Sequence, residues 1–265
     1  MIRARKQFGQ HFLEPAWVDK VIRTIAPQPD DVFIEIGPGA GALTRPLAAR
    51  AKHVTAFEID RDLAAELRAE AIENVSVVEG DFLEVPRTQH FEPGTSLRVA
   101  GNLPYNVASP ILFKLVELYS TGAPLSDATV MLQREVADRL VAGPGSREYG
   151  VLSILIGHSA RAEIVLKLPA GAFRPPPKVL SALVRLRFHE PDPPVRNTTR
   201  FQGLVQAVFT RRRKTLANAL LAFPPAVAAT PSRILDAAGI DGVRRPETLS
   251  IAEFARLADA LEAAS

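Results

Sequence analysis

Asn102, Leu103, Pro104 and Tyr105 form a run whose residue types suit chemistry on the exocyclic amine of an adenine base. The lone pair of such an amine is drawn into the aromatic ring. A group-transferring enzyme must therefore hold both amine hydrogens while the nitrogen becomes tetrahedral. The side-chain oxygen of Asn102 and the carbonyl of Leu103 or Pro104 supply two acceptors. Pro104 stiffens the turn, and Tyr105 offers a face on which a flipped base can stack.

A second constellation precedes this one. Glu35-Ile36-Gly37-Pro38-Gly39-Ala40-Gly41 follows an apolar run, as expected of a tight turn at the carboxyl end of a strand where a ligand meets the backbone. Followed by Ala42, it also satisfies a loose dinucleotide fingerprint, with Glu58 placed to take ribose hydroxyls. The loop alone leaves a nicotinamide oxidoreductase and a methyltransferase both open. Three features favour S-adenosylmethionine. The Glu35 carboxylate would repel a pyrophosphate but suits a cationic ligand. Asp81, followed by Phe82, can accept the cofactor's adenine amine beside an aromatic ring. No paired Tyr/Lys or His/Asp hydride-transfer motif follows.

The elements that must position these residues alternate. Glu14 to Ala26 reads as an opening helix. Strands are expected at Val32–Ile36, His53–Glu58, Val75–Glu79, Ser96–Gly101 and Ala128–Gln133, with helices at Ala42–Arg50, Arg61–Ala71 and Ser109–Tyr119 between them. That pattern predicts an α/β fold, a doubly wound, Rossmann-like parallel sheet. Helices at Arg134–Val141 and Val151–His158 follow, then closing strands at Ile164–Leu168 and Leu180–Phe188. Pro191, Pro193 and Pro194 make a stiff linker, and the rest reads as helical at Phe201–Leu221, Ser232–Ala238 and Ile251–Ala263. The expected division is a catalytic domain over 1–190 and a small all-helical, basic domain over 191–265.

Charge follows that division. Residues 1–190 carry 22 basic and 22 acidic side chains, whereas 191–265 carry 10 and 7, so the whole excess is C-terminal. Between Asp192 and Asp236 no carboxylate interrupts a series of cations that includes Arg211, Arg212, Arg213 and Lys214, a pattern suited to phosphate. The basic start, Met1 to Gln7, leads into no signal-peptide core and reads as an arm facing nucleic acid. The chain has no cysteine, so disulfides and thiolate metal sites are excluded, and a reducing cytoplasm is permitted. No apolar run approaches the roughly eighteen residues of a membrane span. The histidines His53, His90, His158 and His189 lack metal-ligand spacing, and no metal is expected.

With Asn102-Leu103-Pro104-Tyr105 in place, the chain resembles the ribosomal RNA adenine dimethyltransferases, the KsgA family, nearly end to end. The resemblance extends through Lys6–Leu13, Glu35–Gly41, Glu58-Ile59-Asp60, Gly80-Asp81-Phe82, Phe173–Val179, Arg211–Leu220 and Leu249–Phe254. It implies that His11, Leu13, Gly37, Glu58, Asp81 and Asn102 contact S-adenosylmethionine. The family often has Asn where this chain has His11; an imidazole can replace one amide hydrogen bond but makes the contact pH-sensitive. Phe173 is implied as the second face of a base clamp opposite Tyr105. The implied reaction is dimethylation of the 6-amino group of two adjacent adenosines in a hairpin near the 3′ end of small-subunit (16S) rRNA. The implied partner is a pre-30S particle, met by a cytoplasmic monomer. Rival readings are a large-subunit rRNA methylase of the macrolide-resistance type and a catalytically idle assembly factor. Leu103 and the Leu249–Phe254 segment favour the small-subunit enzyme.

Overall fold

The computed structural model describes residues 12–86, 96–223 and 230–264; His11 and the basic start of the chain lie outside them. Packing divides the chain into two compact units, one of Met1–Ala137 with Arg161–Phe188, the other of Asp138–Ala160 with His189–Ser265. A single cut near residue 190 therefore leaves Asp138–Ala160 on the wrong side. The helix Val151–Gly157 in that stretch buries Ile154, Leu155 and Ile156, and His158 at its end packs on Phe201 with ring centroids 4.5 Å apart. An apolar helix in a sequence does not announce its partner.

The first unit is built on strands β1 (Phe12–Leu13), β2 (Val32–Ile36), β3 (His53–Glu58), β4 (Val75–Glu79), β5 (Leu97–Asn102), β6 (Leu125–Gln133), β7 (Ala160–Leu168), β8 (Phe173–Arg174) and β9 (Ser181–Phe188). Seven of them form one sheet in the order β4-β3-β2-β5-β6-β9-β7, and β1 pairs with β8 in a separate short ribbon. From β4 through β6 the pairings are parallel, as the alternating pattern predicts. β9 runs antiparallel to β6, so the sheet is mixed rather than wholly parallel.

Helix α1 (Pro15–Ile25) precedes the sheet, and α2 (Thr44–Ala48), α3 (Arg61–Ala69) and α4 (Ala108–Ser120) lie in the β2–β3, β3–β4 and β5–β6 crossovers of the parallel part. α1 begins with Pro at its first position and buries Val21, Ile22 and Ile25. These pack with Phe33, Leu47, Val54, Ala100, Met131 and Leu183 into one core. At the edge opposite the strands' carboxyl ends, the Arg98 guanidinium bridges Asp31 at 2.6 Å and Asp127 at 2.7 Å and donates to the carbonyl of Ile25. That clamp fixes the end of α1 to the sheet.

In the second unit the expected helix over 201–221 is two helices, Thr198–Phe209 and Leu216–Leu220, separated by a turn that carries the four cations 211–214. No Gly or Pro marks the break. Thr215 stands at the N-cap of the second helix, and within the turn Arg212 donates to the carbonyl of Ser146 and lies 3.7 Å from Glu247.

Candidate active site

The chain order reverses beside β2, whose neighbours are β3 and β5. A cavity of about 1060 Å³, its open mouth included, lies at the carboxyl ends of these strands, the place where open α/β sheets take ligands. Leu13, Gly37, Glu58, Asp81, Asn102, Leu103, Pro104 and Tyr105 all line it. The two constellations, far apart in sequence, share one wall because β2 and β5 are adjacent and in register, with Ile36 opposite Gly101.

The glycine loop is shaped by backbone geometry and by an acid. Gly37, Gly39 and Gly41 have φ of 69°, 56° and 76°, a region that glycine enters without penalty. Glu58, 4% exposed, accepts from the Gly39 amide at 2.8 Å and from the Asp60 amide at 2.9 Å. Burial raises the pKa of this carboxyl, and the amides partly offset that. The Gly39 N–H that a pyrophosphate would require is thus already donated to a carboxylate. No basic side chain lines the cavity among the described residues, whereas Glu35, Glu58 and Asp81 do. These acceptors suit an ammonium group and ribose hydroxyls, and with the Gly39 amide committed to Glu58 they favour such a ligand over a pyrophosphate.

Asp81 accepts from the Leu83 amide at 2.9 Å through Oδ1 and so caps the short helical turn Phe82–Glu84. Phe82 is 4% exposed and packs edge-on against Phe57 with centroids 5.5 Å apart. Ile59, half exposed beside Glu58, also lines the cavity, as do Phe12, Leu43, Val107 and Met131. Sequence reading passed over these apolar residues because nothing distinguishes them from core. Phe12 and Ile59 do fall inside the resembling segments Lys6–Leu13 and Glu58-Ile59-Asp60.

Glu35 is 1% exposed, and its Oε2 is buried with no hydrogen-bond partner. Burial pushes this carboxyl from 4.5 up to about 7; the charge of Glu58 adds to the rise, and Thr44 and Arg45 oppose it. An acid with a higher pKa folded than unfolded favours the fold while protonated. Its stabilising effect is therefore full below about 4.5 and is lost as pH rises through about 7. Glu58 contributes in the same direction. Glu35→Gln should flatten the fall in Tm across that interval, measured by calorimetry on the ligand-free protein. An unchanged slope would mean that Glu35 ionises there at no cost.

On the acceptor side, Asn102 ends β5 beside Met131 of β6, and the Leu103 amide donates to the Met131 carbonyl at 3.3 Å. The Pro104 carbonyl already accepts from Val107 at 3.1 Å, which favours Leu103 as the second acceptor for an amine. The Tyr105 hydroxyl lies 2.8 Å from the Ser181 hydroxyl, and burial keeps the phenol protonated by raising its pKa. Phe173 is placed differently from the expectation of a two-faced clamp. It is 1% exposed, pairs with Leu13 across the β1·β8 ribbon and packs in the core with Val21 and Phe33, and it does not line the cavity. The ribbon turns its side chain inward.

The basic turn belongs to the second unit. Arg211 donates to the Asn218 carbonyl at 3.2 Å, and Arg212 donates to the Ser146 carbonyl at 3.2 Å with Glu247 3.7 Å away. Arg213 and Lys214 are exposed, and among the described residues no partner holds them. No described helix is long and apolar enough to cross a membrane, and no described group of three or more His, Asp or Glu could hold a metal ion.

A glycine loop fed by acids at successive strand ends, on this sheet, defines a methyltransferase of the Rossmann-like class. The family model for ribosomal RNA adenine dimethylase matches residues 1–257, and the chain belongs to that family. It is 43% identical to the ribosomal RNA small subunit methyltransferase A of Acinetobacter baylyi, over 97% of this chain and 92% of that one. It is 44% identical to the protein of the same name from Bordetella avium, over 99% and 97%. Its structure is similar to the crystal structure of a dimethyladenosine transferase from Plasmodium falciparum, with TM-score 0.76, 27% identity and coverage of 93% and 96%. It is also similar to the 23S rRNA methyltransferase ErmE, with TM-score 0.67, 30% identity and coverage of 95% and 99%.

Proposed function

We propose that the protein dimethylates the 6-amino groups of two adjacent adenosines in a hairpin near the 3′ end of small-subunit (16S) rRNA, within a pre-30S particle in the cytoplasm. The observation that carries this reading is one cavity shared by Asn102 and Tyr105 with Glu35, Glu58 and Asp81. S-adenosylmethionine, when bound, supplies a methyl group on a sulfonium, an electrophile that needs neither a metal nor a nucleophilic side chain.

The residues of the chain then do the rest. Glu58 takes ribose hydroxyls with the lone pairs its two amide donors leave over. Asp81 accepts an adenine amine, Gly37 permits close approach of the backbone, and Leu13 closes the pocket, while His11, outside the described residues, is a donor contact only by the family resemblance. Asn102 and the Leu103 carbonyl accept the two hydrogens of the target amine and so gain strength as charge grows on its nitrogen. Pro104 holds that turn, and Tyr105 carries the base. The product amine is acidic enough to release its proton to water. A second round needs one remaining N–H and room for one methyl group.

The large-subunit alternative is less favoured, since relatives named for the small subunit reach 43% and 44% identity against 30% for ErmE. Unmethylated small-subunit particles and free large-subunit RNA, each supplied with labelled donor, separate the readings. Label on adjacent small-subunit adenines is expected. Label confined to large-subunit RNA would overturn the assignment, and no label would leave an assembly factor.

The sheet-bearing unit acts as the methyltransferase and the helical unit grips RNA, the protein working as a monomer. Arg211, Arg212, Arg213 and Lys214 form the grip, with Arg213 and Lys214 meeting phosphate and Arg212 bracing the turn. Arg213→Ala with Lys214→Ala should flatten the salt dependence of RNA affinity by about 1.4 to 1.8 in log–log slope, about 0.7 to 0.9 per phosphate lost. Fluorescence anisotropy across a NaCl series checks it. A wild-type slope would put the RNA elsewhere.

A further inference from the structure

Within the seven-stranded sheet, β9 runs antiparallel to β6 and so brings a side chain to Tyr105, which lines the cavity. Ser181 opens β9 opposite Gln133, the last residue of β6. Because β9 is antiparallel to β6, its first residue lies at the carboxyl edge, where β5 delivers Asn102 beside Met131. Tyr105 follows in the turn between β5 and α4 and reaches Ser181, hydroxyl to hydroxyl, at 2.8 Å. Ser181 is 1% exposed and sits in a paired strand, so it is the fixed member of the pair.

We infer that Ser181 is a positioning residue for methyl transfer, whose hydroxyl pins the far end of the Tyr105 ring so that the ring stands ready as the platform for the adenine. The inference rests on the proposed role of Tyr105 and deepens it. A buried hydroxyl requires a partner, and here the requirement is met by the side chain that must not swing. RNA affinity is set chiefly by phosphate contacts. A platform that wanders therefore lowers the fraction of bound base in reacting geometry rather than the binding itself. The effect belongs in kcat.

Ser181→Ala and Tyr105→Phe each delete the bond while leaving the ring. Loss of one neutral hydrogen bond corresponds to about a five-fold fall in kcat, with KM for the small-subunit particle held within about two-fold. Combining the two should cost nothing further, since both remove the same contact. A purely structural serine would instead give losses that multiply. Multiplying losses, or wild-type kcat in either single variant, would overturn the inference, and Tyr105→Phe carries the test if Ser181→Ala fails to fold. Tyr105→Ala separates the two levels. If it abolishes turnover while the milder variants keep theirs, only the role of Ser181 falls; if it keeps wild-type kcat, the platform reading falls and takes Ser181 with it.

Discussion

Asn102→Ala is expected to lower kcat by about 10²- to 10³-fold, the usual cost of removing one acceptor or donor aimed at developing charge, while RNA affinity stays nearly unchanged. The reasoning is positional. Asn102 stands at the end of β5 in the wall of the cavity, in register with Met131 of the neighbouring strand. Its backbone is fixed by the sheet, so truncating the side chain removes an acceptor without loosening the strand. The cations proposed to meet phosphate lie in the other unit. Single-turnover kinetics with a parallel gel-shift assay separate the two quantities. Affinity that falls in step with rate would make Asn102 a structural residue.

Gly101→Ala should be as damaging by another route. A Cβ at this position would stand 2.5 Å from the Ile36 carbonyl oxygen and 3.3 Å from Leu103 Cδ2. The first contact is with the backbone of a paired strand, and no rotamer relieves it. β2 and β5 must separate, and the glycine loop that follows Ile36 shifts with them. A loss of about 3 kcal/mol or more is expected, at the upper end of overpacking effects, together with loss of S-adenosylhomocysteine binding. Thermal melts and calorimetric titration check both. A variant with wild-type Tm and affinity would show that the close approach is dispensable.

The parallel half of the sheet was legible because its strands are short apolar runs punctuated by glycine, proline and acids. Val32–Ile36, His53–Glu58 and Val75–Glu79 are observed with the bounds that sequence predicts. The same punctuation exposed the cavity, since Gly37, Glu58, Asp81 and Asn102 all fall at strand ends. Most of what escaped depends on a distant partner. β1 and β8 are two residues each, too short for periodicity, yet they turn Phe173 into the core. The break after Phe209 holds no Gly or Pro, and its one signal, Thr215 at the N-cap of the next helix, is weak beside the continuous apolar pattern. Ser181 fell inside the expected closing strand Leu180–Phe188, and only the strand's direction shows that it meets Tyr105.

The helical unit is assembled from two separate lengths of chain, with β7 and β9 made between them. During synthesis Ile154, Leu155 and Ile156 leave the ribosome well before Phe201 does, so a greasy helix must wait without cover until the last third of the polypeptide arrives. A fragment beginning at 191 would have the opposite defect, keeping Phe201 but lacking the His158 ring that rests on it. Such a fragment should be prone to aggregate, whereas a graft that restores residues 138–160 should remain in solution.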